Sequence, residues 1–163
     1  MTNVNSNSAL EQLGGDNPNG CFAPGQHLEV IACGSSKTLV ASDSGALVLQ
    51  DTAAGSTVTL PAPVVGMQFT ISTTTSVTSN SHVINTDAAT TFITGGVDST
   101  STAVAEGGDT FVADGTSDVT LTSNGTTTGG LKGSCYQFTC ISSTVWLCNG
   151  VMAGTGTLAT PFA

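Results

Sequence analysis

The chain has no arginine and only two lysines, Lys37 and Lys132, among its 163 residues. Neutralising a phosphate backbone takes clustered basic side chains, so composition argues against a nucleic-acid ligand. It argues equally against an anionic membrane surface, because no polybasic stretch exists to meet one. Charge of either sign is scarce. Charged residues make up 8% of the chain, where about 25% is usual, and the formal net charge is −9. Aromatic residues are few, with one Trp and one Tyr. Long apolar runs are missing too: Ala46-Leu47-Val48-Leu49 is strand-sized, far short of the ~20 residues of a membrane span. The first residues, Met1-Thr2-Asn3-Val4-Asn5-Ser6-Asn7-Ser8, lack the basic and apolar regions of a secretory signal. The expectation is a protein made in a cytoplasm.

Catalytic constellations are equally sparse. The five cysteines are Cys21, Cys33, Cys135, Cys140 and Cys148, and no two are spaced C-x-x-C. A zinc site or a redox dithiol therefore has little support. Free thiols packing as small hydrophobes are expected, with at least one unpaired because the count is odd. Gly34-Ser35-Ser36-Lys37-Thr38 brushes against a phosphate loop but has Ile31 and Ser36 where the loop needs glycine, and without those glycines the backbone cannot wrap a phosphate. The two histidines are His27 and His82; His82 has Asp87 five residues on, but no G-x-S-x-G elbow supplies a nucleophile. Only three glutamates are present, Glu11, Glu29 and Glu106, a thin supply for paired-carboxylate catalysis. Asp109, Asp114 and Asp118 sit in glycine-bearing turns. Such turns suit calcium, but Asp is as ordinary a turn former. The reading is a non-enzyme with no cofactor and no metal site.

What is present is a strand pattern. Val58 and Leu60 alternate with Thr57 and Thr59; Met67, Phe69 and Ile71 with Gln68, Thr70 and Ser72; Val119 and Leu121 with Thr120 and Thr122. Period two with Thr as the polar partner marks half-buried antiparallel strands. Further strands are expected at 28–33, 46–50, 81–85, 90–94, 110–113, 134–141 and 144–149. The last two read as a hairpin turning at Ser142-Ser143. That register puts Tyr136, Phe138 and Cys140 on one face with Val145 and Leu147, brings Cys135 near Cys148, and sends Trp146 to the opposite face. Phe69, Phe138 and Trp146 are the expected core aromatics. Residues 95–108 read as a long surface loop. Thr-x-Thr recurs at 57–59, 120–122 and 155–157, which strand propensity explains. No clean internal repeat is visible, which argues against a solenoid. The fold class is all-β: an antiparallel β-sandwich or jelly-roll-like barrel, with residues 27–163 as a single β domain.

Residues 1–26 differ. They are rich in Asn, Ser, Gly and Pro, with one short helical signal in which Ser8 caps Ala9-Leu10-Glu11-Gln12-Leu13. A dense turn signal, Asp16-Asn17-Pro18-Asn19-Gly20, follows. The segment reads either as an extended arm whose apolar residues Leu10, Leu13, Phe22 and Pro24 contact another surface, or as a disordered tail.

The order of turns and strands from Ala41 onward resembles that of tailed-phage capsid decoration (cement) and head-fibre proteins. The motifs are Asp43-Ser44-Gly45, an apolar strand, then Thr57-Val58-Thr59-Leu60-Pro61-Ala62-Pro63. They continue with Gly66, the Phe69 strand and Gly95-Gly96, and close with Gly133, the Tyr136–Ile141 strand, Trp146, Gly150 and Thr160-Pro161-Phe162. The resemblance covers about three quarters of the chain, but departs from the family in lacking basic residues beside the strands. It implies a homotrimer on the outer capsid surface of a virion, bridging and stabilising major capsid protein subunits. The alternative from another class is a tail-fibre or receptor-binding module contacting host-surface glycans.

Overall fold

The computed structural model describes residues 27–103 and 107–163. The arm, with Leu10, Leu13, Phe22 and Pro24, lies outside the described residues. Among the described residues eleven strands are present: β1 (Val30–Ala32), β2 (Ser36–Thr38), β3 (Leu47–Gln50), β4 (Thr57–Thr59), β5 (Gln68–Thr73), β6 (His82–Asn85), β7 (Phe92–Ser101), β8 (Gly108–Asp114), β9 (Thr120–Ser123), β10 (Cys135–Ser142) and β11 (Val145–Gly154). They form a seven-stranded sheet in the order β1-β3-β5-β10-β11-β7-β8 and a four-stranded sheet in the order β2-β4-β6-β9. The protein is an all-β sandwich.

The sheets are mixed rather than antiparallel throughout. The first six strands alternate between the two sheets, so β1, β3 and β5 run parallel in one while β2, β4 and β6 run parallel in the other. Parallel neighbours usually need a long crossover. Here each return path is itself a strand of the opposite sheet, so short connections suffice. This winding is solenoid-like, yet its coils are unequal. Val30 pairs with Leu47, which pairs with Thr70; Ser36 pairs with Thr57, which pairs with Val83. Unequal turns leave no period in the sequence, and β2, hidden in the Gly34–Thr38 segment, gives no apolar alternation to find.

The second half closes both sheets. Strand β9 lies antiparallel to β6, and the isolated bridge Leu121↔Phe162 seals the C-terminus against it. The β10–β11 hairpin slots between β5 and β7, antiparallel to the first and parallel to the second. The expected loop at 95–108 is mostly strand: β7 runs on to Ser101, and β8 starts at Gly108 and pairs back along it. Glycine concealed the continuation of the 90–94 strand beyond Thr94. Gly95 has φ +100°, and a Cβ there would run into the Cys148 carbonyl of β11, a close approach that only glycine permits.

Inward residues of both sheets fill the core. Phe69, Phe138 and Trp146 are buried, beside Tyr136, Ile71 and Ile93 of the large sheet and Val58, Ile84 and Leu121 of the small one. The Phe69 and Trp146 rings lie 5.9 Å apart at 49°, within the range of favourable aromatic pairs. The hairpin register differs from the expected one. A bulge between Cys140 and Ser142 leaves Ile141 unpaired and moves the turn to Ser143-Thr144. The extra residue exchanges the faces of β11. Trp146 and Cys148 therefore share the core face with Tyr136, Phe138 and Cys140, while Val145 and Leu147 turn outward. Cys135 pairs with Val151 on the outer face and is not the partner of Cys148, which pairs with Phe138.

Candidate interaction surfaces

The groups that drew chemical attention have structural duties in this fold. Gly34 (φ +58°) makes the turn into β2, and its amide donates to Asp51 Oδ1 at 2.9 Å. A carboxylate thus stands where a phosphate loop would hold an anion. His82 opens β6, buried, with Nε2 3.0 Å from the Thr75 carbonyl. Asp87 lies beyond the other end of that strand, roughly 16 Å along it at strand rise, so the two form no catalytic pair. The Asp114 carboxylate accepts from the amides of Thr116 and Ser117 and from the Ser117 hydroxyl at 2.7–2.8 Å. These bonds, the Thr116 amide first, hold its carboxyl well below the usual carboxylate range. Asp118 accepts the Asp114 amide, and Asp109 that of Thr110. Among the described residues no three His, Cys, Asp or Glu side chains converge on a metal position.

The thiols follow the same pattern. Cys33, Cys140 and Cys148 are buried and Cys135 is half-buried; all four are free. Burial pushes each of their pKa values up, that of Cys148 to about 12. A raised pKa removes the thiolate that nucleophilic chemistry needs.

The outer surfaces remain. On the large sheet the outward rows follow from the register. One is Val30, Leu47, Thr70, Gln137, Asn149, Gly96 and Val112. The next is Ala32, Leu49, Ser72, Cys135, Val151, Asp98 and Thr110. A depression of about 590 Å³ opens between β7, β8, β10 and β11, walled by Asp98, Gln137 and Asn149. A second groove, about 520 Å³, lies at one end of the sandwich. It is lined by Leu39, Val40, Pro61, Ala62, Val64 and Met67, with Asp87 at its edge. Val40, Val64 and Val65 are exposed beside it. The described chain begins at this same end: the Glu29 carbonyl accepts the Leu47 amide, and the Gly45 amide reaches Gln68.

Sequence reasoning named the core aromatics and the turns but missed both surfaces. The outward apolar residues of β3 and β11 became visible only once the register fixed the faces, and the end groove joins segments distant in sequence. No family model matches this chain, and no curated protein and no solved structure matches it.

Proposed function

We propose that the chain is a non-enzymatic structural protein of a tailed-phage virion, a homotrimeric decoration protein on the outer capsid surface that ties major capsid protein subunits together. The observation that carries this reading is the end groove, an apolar channel at the end of the sandwich where the described chain begins; the sequence adds Leu10, Leu13, Phe22 and Pro24 as the expected apolar anchors. An anchor of that kind docks in apolar sites that neighbouring subunits create together. Binding only the assembled shell stabilises it by mass action. The motifs behind the resemblance also have coherent structural duties. Asp43-Ser44-Gly45 turns the chain into β3, Gly66 (φ +95°) and Gly133 (φ +99°) precede β5 and β10, and Phe162 closes the small sheet. The glycan-binding alternative draws less support, because the one Trp and the one Tyr are both buried and neither is free to stack on a sugar. The test is co-sedimentation with mature shells and with dissociated capsid subunits, together with the temperature at which the genome leaks. Binding to shells alone and a raised leakage temperature are expected. Equal affinity for both forms, or an unchanged leakage temperature, refutes the cementing role.

A further inference from the structure

We propose that the outer face of the seven-stranded sheet is the surface through which copies of this chain associate. The inference deepens the decoration reading and rests on it only for the number of copies.

The first argument is the character of the face. A solvated sheet face is ordinarily polar. Here Val30, Leu47, Leu49, Leu147 and Val151 point outward, with Ile141 exposed beside them. Val30 and Val151 are 57% and 55% exposed. Across β1, β3, β5, β10 and β11 the outward positions include no Asp, Glu, Lys or Arg. Charge enters the face on β7 and β8, where Asp98, paired with Val151, and Asp114 point outward.

The second argument is net charge. Each copy carries −9 with only two lysines to offset it. Two such copies repel, and opposite charges to pair across a contact are nearly absent. Close approach is least costly where neither copy presents a charge, because ions left unpaired at an interface are expensive. The part of the face built by β1, β3, β5, β10 and β11 meets that condition.

The third argument is size. At about 4.8 Å between strands, and about 3.3 Å for each of the eight residues of β10, the five strands without outward charge give roughly 500 Å² and all seven roughly 750 Å². A standard stable interface takes about 800 Å² from each partner. Cys135 sits on β10, the fourth of the seven strands, and so reports on the centre of the face.

The experiment uses the full chain without any shell, so its outcome is independent of capsid binding. Sedimentation equilibrium of wild type is compared with Val151→Lys, Val30→Asp and, on the small sheet, Thr59→Asp. Val151→Lys lowers the net charge, so a loss of association there cannot come from general repulsion. Wild type is expected to sediment as an oligomer, and the two large-sheet variants to lose association by at least about a hundredfold. Thr59→Asp is expected to keep the wild-type mass. In a Cys21→Ser background, alkylation of Cys135 is slow in the oligomer, and Val151→Lys abolishes that protection. Circular dichroism confirms that each variant folds. A monomeric wild type, or an oligomer that survives both large-sheet variants, overturns the proposal.

Discussion

Raising the pH from 8 to 11 should weaken this fold steeply, and two buried acids set the size of the effect. Cys148 lies in the core opposite Phe138, and burial lifts its pKa from 9.0 to about 12. Tyr136 is fully buried, its hydroxyl 2.9 Å from that of Ser123. Burial lifts it from 10.0 to about 12. Both groups stay protonated in the folded chain after they ionise in the unfolded one. Their contribution is therefore intact below pH 9 and is lost as pH rises toward 12. At about 1.4 kcal/mol per unit, Cys148 accounts for about 3 kcal/mol at pH 11 and Tyr136 for about 1, together about 4 kcal/mol. That is a large part of a typical stability of about 5–15 kcal/mol. The assay is urea unfolding followed by Trp146 fluorescence. With a slope of about 2 kcal/mol per molar, the midpoint falls by roughly 2 M between pH 8 and 11. Cys148→Ala should make the decline between pH 9 and 10 shallower, where Tyr136 contributes little. A midpoint flat across this range refutes the burial argument; a Cys148→Ala slope equal to wild type refutes the assignment to Cys148.

Three further outcomes follow from the packing. Phe69→Ala, Phe138→Ala and Trp146→Ala should each cost about 3–5 kcal/mol, read as a lower melting temperature; wild-type melting in all three would contradict their placement between the sheets. Gly95→Ala should lose more stability than Gly45→Ala. Both positions have positive φ, but Gly45 opens on empty space and Gly95 meets the Cys148 carbonyl; equal losses in chemical denaturation would mean that β7 and β11 can move apart. Asp114→Ala should remove a contribution that is present in wild type at neutral pH and fades as pH falls below about 4, so variant and wild-type melting curves should converge in acid; a constant difference down to pH 2 would rule out the carboxylate's amide bonds as its source.

Legibility in the sequence followed the period of two. Strands with a clear apolar alternation, such as β4, β5 and β9, were readable, and so were the core positions of Phe69 and Phe138. Three features were not. The parallel winding leaves no local trace, because strand direction depends on which sheet the chain returns to. The extension of β7 beyond Thr94 was concealed by Gly95 and Gly96; the missing side chain at Gly95 is the reason β11 can lie so close. The hairpin faces turned on one unpaired residue, Ile141, and period-two reasoning has no means of anticipating a bulge. The candidate surfaces were least readable, since an outward Leu47 or Val151 looks like any other apolar strand residue until the register assigns it a side.

The place of the C-terminal hairpin has a consequence for synthesis. Strands β5 and β7 of the large sheet are separated by two strands that begin only at Cys135. A nascent chain that has reached Gly133 holds two unjoined portions of that sheet, with the pairing edges of β5 and β7 both open. It also lacks Phe138 and Trp146, the aromatics that would cover Phe69. The sandwich therefore cannot close until β10 and β11 have left the ribosome. Chains truncated before Cys135 should emerge as open-edged species that pair with one another. The large sheet would then close as one unit on emergence of the hairpin, with no stable partial fold ahead of it.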